Sequence, residues 1–149
     1  VLAQVNNTLY ERSYRGMFTT AVFCLLNMTS KKLIVANGGH LSLLLKRNNS
    51  IEEIGFASGT PLGILPNMSY KQEEHSLKSK DEILIFTDGV TEPKNKQDEE
   101  FGLDRLKNLF INHTGPPENF LQHLEDSIKQ FIGKAPQFDD LTALTLKVH

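Results

Sequence analysis

Residues 82–86 are the most apolar run of the chain, Glu-Ile-Leu-Ile-Phe, and this run stops at Thr87, Asp88 and Gly89. A short aliphatic and aromatic run without a helical period predicts a strand in the centre of a sheet. An Asp-Gly pair breaks regular structure and starts a turn. The chain therefore has to build a sheet around residues 82–86, and the acidic Asp88 stands at the end of that strand.

Six further segments bounded by turn residues are interpreted as strands. Five of them are rich in β-branched, aromatic and aliphatic residues, whereas residues 70–77 are polar and are expected to form an exposed strand. The spacing of the first four predicts antiparallel strands, and the first two form a hairpin. The six segments are residues 17–28, 33–36, 41–45, 51–56, 70–77 and 141–148. The glycine-rich segment 58–63 is predicted to be a loop that brings backbone close to a neighbour.

Three segments have the apolar spacing of helices that bury one face. Leu2, Val5 and Leu9 predict a first helix that ends near Gly16. Two further helices precede the last strand and are separated by a Gly-Pro-Pro sequence. Their stripes are Leu103, Leu106 and Phe110, and then Leu121, Leu124, Ile128 and Phe131. Strands, then two helices, then a strand predict a layered α+β domain.

Composition excludes several classes of protein. The chain has 149 residues, of which 39% are hydrophobic and 23% charged, which suits one globular domain with its own core. Its net charge is only -2, and its basic residues are scattered among acids, so we expect no nucleic-acid partner. We also expect no membrane contact by this domain, since no apolar stretch approaches about 20 residues. The single cysteine, Cys24, lies in an apolar run and is interpreted as a buried small hydrophobe.

Two acidic sites lie next to apolar strands: Asp88 follows one strand, and Asp139 and Asp140 precede the last. If these strands are antiparallel neighbours, the carboxylates meet at one edge of the sheet. Two divalent cations about 3.5–4 Å apart, held by oxygen ligands, activate water and bind a phosphoryl group. Each acidic site is, taken alone, also a common solvated turn.

His40 follows two glycines and has two interpretations. It is either a ligand or proton carrier, or a structural hydrogen-bonding residue, which is the commoner case for an isolated histidine. The other four histidines show no metal-ligand spacing and receive no role.

Five ordered motifs together carry more information than any one of them. They are Asn37-Gly38-Gly39-His40, Gly59-Thr60-Pro61-Leu62-Gly63-Ile64, Thr87-Asp88-Gly89-Val90-Thr91-Glu92, Phe101-Gly102, and Gln137-Phe138-Asp139-Asp140-Leu141-Thr142. In order and approximate spacing the chain resembles the bacterial SpoIIE/RsbU-like phosphatases, which belong to the metal-dependent (PPM, type-2C) class. The match covers nearly the whole chain.

The resemblance implies a phosphatase-type β-sandwich flanked by helices, in α-β-β-α layers, with a site for two Mn²⁺ or Mg²⁺ ions. By position, Asp88 and Asp139 match metal ligands of the family, whereas Asp140 is the less probable ligand of its pair. Gly89 and His40 would support the site without being catalytic. The implied reaction is hydrolysis of phosphoserine or phosphothreonine on a protein by metal-activated water.

By the same resemblance, the substrate is a STAS-domain anti-anti-sigma factor, and the protein is cytoplasmic or anchored to a membrane through an upstream region. The family's upstream Gly-Asp and Asp-Val-Ser-Gly-His-Gly-like motifs have no counterpart here. Residues 1–149 are therefore expected to be a single phosphatase domain that lacks its N-terminal strands, binds metal weakly alone, and exposes sheet edges that favour a homodimer.

Two rival interpretations stay open at this stage. In one, the domain has lost its chemistry and serves as a docking or dimerisation module. In the other, it is an unrelated α+β domain whose acidic turns are only turns. Asp88 and Asp139 together favour the phosphatase for the parent protein.

Overall fold

The computed structural model describes residues 1–14, 16–134 and 140–149. Its backbone contacts divide the chain into a first unit, Val1–Ser42 with Ile54–Lys78, and a second unit, Leu43–Glu53 with Ser79–His149. The elements in chain order are α1 Leu2–Arg12, β1 Ala21–Asn27, β2 Lys32–Gly38, β3 Leu43–Arg47, β4 Ser50–Ile54, β5 Gln72–Ser76, β6 Glu82–Phe86, a 3₁₀ turn Asp88–Val90, α2 Gly102–Asn112, α3 Pro117–Ile132 and β7 Ala143–Lys147.

The first unit contains a three-stranded antiparallel sheet in the order β1-β2-β5. The predicted hairpin is confirmed, with Ala21 opposite Gly38 and Asn27 opposite Lys32. At the turn, the Asn27 side-chain oxygen accepts hydrogen bonds from the backbone N–H groups of residues 29 and 30 at 3.1 and 2.9 Å. An asparagine that mimics a backbone turn in this way explains why the chain reverses here.

The stripe predicted for α1 is wrong at one position. Val5 is 42% exposed, whereas Asn6, one residue later, is completely buried. The Asn6 amide nitrogen donates to the Leu65 carbonyl at 2.9 Å, and its oxygen accepts from the Gly63 N–H at 3.0 Å and from the Tyr70 hydroxyl at 3.2 Å. Asn6 is buried because it satisfies polar groups of the 63–65 loop. The helix also ends earlier than predicted, at Arg12.

The second unit contains a four-stranded sheet in the order β4-β3-β6-β7, so the prediction that residues 82–86 form an interior strand is confirmed. β6 pairs antiparallel with β3, where Leu84 lies opposite Leu44, and with β7, where Phe86 lies opposite Ala143. Leu44, Leu84 and Phe86 belong to one buried cluster with apolar residues of the helices. Burial of these apolar side chains is the main force that joins this sheet to α2 and α3.

Both predicted helical stripes of the second unit face the core. Leu106 and Phe110 of α2 and Leu124 and Ile128 of α3 are buried. Phe120, which the predicted stripe omitted, is 1% exposed, and its ring centroid lies 5.0 Å from that of Phe110. α3 begins at a proline, where the missing N–H costs nothing.

An ion network crosses the three strands β3, β6 and β7. The two carboxylate oxygens of Glu82 lie 2.7 Å from Lys147 Nζ and 3.6 Å from Lys46 Nζ. Lys46 also donates to the carbonyl of His113, just beyond α2, at 2.6 Å. Next to this network, Arg47 binds Asp81 with two nitrogens, the shorter contact being 2.6 Å. Lys46, Asp81 and Glu82 are buried, whereas Arg47 and Lys147 are partly exposed, and the ion pairs among them fix the start of β6.

Within the described residues, no helix combines the length and the apolar character needed to cross a membrane.

Candidate metal-binding site

Strand pairing brings the two predicted acidic sites to one edge of the sheet. β6 and β7 are antiparallel, so the end of β6 meets the start of β7. The Thr87 N–H donates to the Thr142 carbonyl at 3.1 Å, and the Thr142 N–H donates back to the Thr87 hydroxyl at 3.3 Å. This reciprocal contact places Asp88 beside the chain that enters β7. β6 and β7 therefore meet the condition under which the sequence analysis expects the two acidic sites to converge.

Asp88 is exposed and opens a 3₁₀ turn, where its carbonyl accepts from the N–H groups of Thr91 and Glu92 at 2.9 and 2.8 Å. Its side-chain Oδ1 accepts from the Gly89 N–H at 3.0 Å. The turn thus fixes the backbone and orients one carboxylate oxygen. A carboxylate has about four lone-pair sites, so the side chain retains capacity for a cation.

Gly89 is required for space. It is buried, and a Cβ built on it would lie 2.2 Å from the Asp140 carbonyl oxygen and 2.9 Å from the Asp140 carbonyl carbon. Contacts of that length do not occur, and both atoms belong to the backbone, which cannot rotate away. The Asp-Gly sequence therefore lets the Asp88 turn pack directly against the backbone of Asp140.

Asp140, the second described carboxylate at this edge, is exposed. Asp139, which the family resemblance makes the stronger ligand candidate, lies outside the described residues, so its predicted role is untested. Both described donors are carboxylates, the ligand type that Mg²⁺ and Mn²⁺ prefer, and the site therefore fits a hard cation in kind. Residues 1–14, 16–134 and 140–149 contain no group of three His, Cys, Asp or Glu side chains placed to hold a metal.

His40 belongs to the first unit and is held by its own loop. Its backbone N–H donates to Asn37 Oδ1 at 2.8 Å, and its ring Nδ1 lies 3.0 Å from the Leu41 carbonyl oxygen. Because a carbonyl only accepts, the proton is assigned to Nδ1, and Nε2 of the neutral ring is an acceptor. This geometry supports the structural interpretation of His40 and leaves its supporting role a prediction.

Asn37 organises that loop. This role of Asn37 was not predicted from the sequence. The side chain is almost fully buried, and its amide nitrogen donates to the carbonyls of Gly55, His40 and Leu41 at 2.7, 3.0 and 3.3 Å. The motif predicted to lie near the site is therefore built around a hydrogen-bonding asparagine. A polar residue ending an otherwise apolar strand was the available signal.

Cys24 is half-buried, and burial raises the pKa of its thiol. A raised pKa lowers the thiolate fraction at neutral pH, so this cysteine is a poor nucleophile. Cys24 is less buried than the sequence predicted, because strand β1 alternates between half-buried and exposed residues.

A cleft of about 600 Å³ lies next to the acidic edge in the second unit. Gly89, Asp140 and Leu141 line it on the sheet side, and Ile128 and Ile132 of α3 give it an apolar wall. Lys94, Lys129 and Glu125 also line the cleft. Lys129 pairs with Glu125, and Lys94 Nζ lies 3.3 Å from an Asp98 carboxylate oxygen. The cleft therefore combines apolar surface with paired charges beside Asp140.

The family model for stage II sporulation protein E (SpoIIE) matches residues 1–149. The chain belongs to the SpoIIE family. It is 27% identical to the phosphoserine phosphatase RsbU of Bacillus subtilis over 99% of this chain and 44% of RsbU. It is 23% identical to protein IcfG of Synechocystis over 91% of this chain and 22% of IcfG. The chain thus spans less than half the length of these two relatives.

Solved structures show the same fold. The SiaA-PP2C domain of Pseudomonas aeruginosa matches with a TM-score of 0.85 at 19% identity, over 98% of this chain and 58% of that one. The phosphatase domain of SpoIIE from Bacillus subtilis, presoaked with Mn, matches with a TM-score of 0.73 at 18% identity, over 99% of this chain and 63% of that one. The predicted family resemblance and the α+β phosphatase fold are confirmed, and the described part of the chain contains two antiparallel sheets and three α-helices.

Proposed function

We propose that this chain is part of a metal-dependent serine/threonine protein phosphatase. The observation that carries the proposal is the β6-β7 pairing, which places the exposed carboxylates of Asp88 and Asp140 at one edge of a PP2C-type fold. RsbU, a relative over nearly the whole chain, is a phosphoserine phosphatase by name. A docking module that had lost its chemistry would have no need to keep two acidic sites at one strand edge.

The residues of this chain would bind the metal ions or hold the metal ligands in place. Asp88 and Asp139 are proposed as metal ligands, with Asp140 as a neighbouring carboxylate, and the Thr87–Thr142 contact holds the two strand ends together. Bound Mn²⁺ or Mg²⁺ would lower the pKa of water and offset charge on the phosphoryl oxygens. Gly89 would allow the close approach that keeps Asp88 in place, so the ligand geometry is set before substrate binds.

The proposed substrate is a phosphorylated protein, and a STAS-domain anti-anti-sigma factor is the candidate that the family resemblance favours. The cleft beside Asp140 is large enough for side chains that flank a phosphoserine. A substrate of this kind would place the reaction in the cytoplasm.

The test is Mn²⁺ binding by calorimetry and hydrolysis of p-nitrophenyl phosphate and of a phosphoserine peptide by the full-length protein. Asp88→Asn and Asp139→Asn are each expected to weaken metal binding and to reduce turnover by at least about a hundredfold, the upper range for changes around a metal. Asp104→Asn, which removes an exposed carboxylate in the first turn of α2, is the matched control and should change neither.

Wild-type turnover that survives in Asp88→Asn would contradict the proposed ligand role. A full-length protein that neither binds Mn²⁺ nor hydrolyses either substrate would instead support the docking or dimerisation module. The homodimer predicted from exposed sheet edges is measured in the same material by sedimentation. The purified 149-residue chain, assayed beside it, tests the expectation that this segment alone binds metal weakly and is inactive.

A further inference from the structure

A groove of about 560 Å³ runs between α2 and α3 in the second unit. We call it the α2–α3 groove. Phe101 and Leu109 give it some apolar surface. The polar side chains that line it are Arg105, Asn108, Asn112, His113, Thr114, His123 and Ser127. None of the described residues that line it is aspartate or glutamate, although acids outnumber lysines and arginines in the chain by 18 to 16.

Arg105 gives the groove a fixed positive charge. Its Nη1 donates to the carbonyls of Glu100 and Phe101 at 3.0 and 2.9 Å, and its guanidinium lies 4.7 Å from the centre of the Phe131 ring. These partners are neutral, so they hold the guanidinium in place without cancelling its charge. A guanidinium fixed in this way loses less conformational entropy when it binds a carboxylate.

The other polar groups of the groove are also held in place. The Asn112 amide donates to the Asn108 carbonyl at 2.8 Å, and the Ser127 hydroxyl donates to the His123 carbonyl at 2.7 Å. The His113 ring lies 3.1 Å from the Pro116 carbonyl through Nε2. These bonds use the single O–H of Ser127, the Nε2–H of His113 and one amide hydrogen of Asn112. The donors that remain for an anionic partner are the second amide hydrogen of Asn112, the Asn108 amide and the His123 ring.

The shape of the groove suits a polypeptide. On α2 the lining residues 105, 108, 109 and 112 span about two helical turns, which is about 10 Å at 1.5 Å per residue. An extended segment of about three residues covers that length at about 3.3 Å per residue. Leu109 is half-buried and presents apolar surface between the polar positions, so an apolar side chain of the partner has a contact there.

We propose that the α2–α3 groove binds an acidic segment of a partner protein that carries at least one apolar side chain. The carboxylates contact Arg105 and the donors at Asn108 and His123, and the apolar side chain packs on Leu109. This surface is separate from the acidic edge at Asp88, and the proposal does not depend on phosphatase activity.

The test begins with selection of a random-peptide library on the full-length protein, with removal of peptides that also bind the empty support. The affinity of the best peptide is then measured for the wild type and for the Asn108→Asp variant. That substitution adds a negative charge to an exposed groove position without changing the size of the side chain. Asn119→Asp makes the same change at an exposed position of α3 outside the groove and is the matched control. Both variants are expected to fold like the wild type.

The expected result is enrichment of peptides rich in aspartate and glutamate. The best peptide should bind Asn108→Asp about tenfold more weakly than it binds the wild type, because like charges then face each other. Its affinity for Asn119→Asp should be unchanged, and added salt should weaken binding. Backbone amide NMR of the complex should show shifts in residues 105–114 and 123–127.

Selection of basic or purely apolar peptides, or no enrichment at all, would overturn the proposal. So would an acidic peptide that binds both asparagine variants equally, or one whose NMR shifts fall elsewhere. Replacement of each acidic residue of the peptide by its amide separates charge from shape. Unchanged affinity after that replacement would show that the groove does not recognise acids.

Discussion

The acidic residues at the two ends of β6 differ in burial and in their partners. At its start, Glu82 is 9% exposed and its carboxylate is shared by Lys46 and Lys147. Just beyond its end, Asp88 is exposed, and its side-chain oxygen accepts from the N–H of the next residue. The Glu82 carboxylate takes part in ion pairs between strands, whereas the Asp88 carboxylate retains the capacity to bind an external cation.

This contrast distinguishes structural from functional charge. An ion taken out of water needs its partners, because an uncompensated buried charge costs several kcal/mol. An exposed carboxylate has no such requirement and contributes little to folding. The stability of the protein should therefore depend on Glu82 and hardly at all on Asp88. Binding of a metal ion should depend on Asp88 and hardly at all on Glu82.

The largest expected effect on stability is that of Glu82→Gln. This change keeps the shape of the side chain but leaves Lys46 and Lys147 without their shared negative charge. Because breaking a buried pair from one side costs about 3–5 kcal/mol, we expect a loss of free energy of unfolding in that range. Urea denaturation followed by circular dichroism measures it.

The matched control for that experiment is Glu74→Gln, which breaks an exposed pair with Lys32 whose members are about half accessible. An exposed pair is worth about 0–1 kcal/mol, so the control should lose less than about 1 kcal/mol. Equal losses in the two variants would show that the start of β6 is solvated and that the contrast between its ends is wrong.

The next largest loss is expected for Asn37→Ala, which tests a buried polar group without charge. The change leaves the Gly55 carbonyl and the His40 N–H without the partners that Asn37 gives them. Unsatisfied buried groups cost about 1–3 kcal/mol each, so we expect a loss of about 2–3 kcal/mol. Asn119→Ala, at an exposed helical position, should lose under about 0.5 kcal/mol by the same assay. A similar loss of stability in Asn37→Ala and Asn119→Ala would show that Asn37 does not organise the loop.

A smaller loss follows from Gly89→Ala, which acts at the acidic edge through packing. The added methyl group would overlap the Asp140 carbonyl, so one of the two backbone segments has to move. Overpacking of this kind costs about 1–3 kcal/mol. Gly115→Ala, whose nearest contact would be the His113 side chain at 3.3 Å, should cost less. Comparable melting temperatures for the two variants would argue against tight packing at Gly89.

Much of this arrangement was predictable from the sequence because its signals are local. The apolar run 82–86 and the stripes of α2 and α3 reflect one-sided burial, and they identified strands and helices correctly. The antiparallel pairing of β6 and β7 was only a condition of the hypothesis, and in the structure it gives Asp88 and Asp140 their shared edge.

What the sequence did not reveal depends on partners that are distant along the chain. Asn6 is buried because Leu65, Gly63 and Tyr70 satisfy it, and no local pattern predicts contacts 57 to 64 residues away. The buried Glu82 was likewise hidden, because its lysine partners lie on two other strands. Polar residues in apolar stripes therefore mark positions where tertiary hydrogen bonding overrides hydrophobic periodicity.

The smallest expected effect on stability, and the sharpest test of the contrast, is that of Asp88→Asn in the full-length protein. Without added metal, its melting temperature should match the wild type, since an exposed carboxylate changes stability by less than about 0.5 kcal/mol. Mn²⁺ at about a hundred times its dissociation constant should stabilise the wild type by about 2.7 kcal/mol through mass action. The Asp88→Asn variant should lose most of that gain, whereas Asp104→Asn should keep it. If Mn²⁺ raises the melting temperature of all three proteins equally, the cation binds elsewhere, and Asp88 is an ordinary turn residue at the end of a strand.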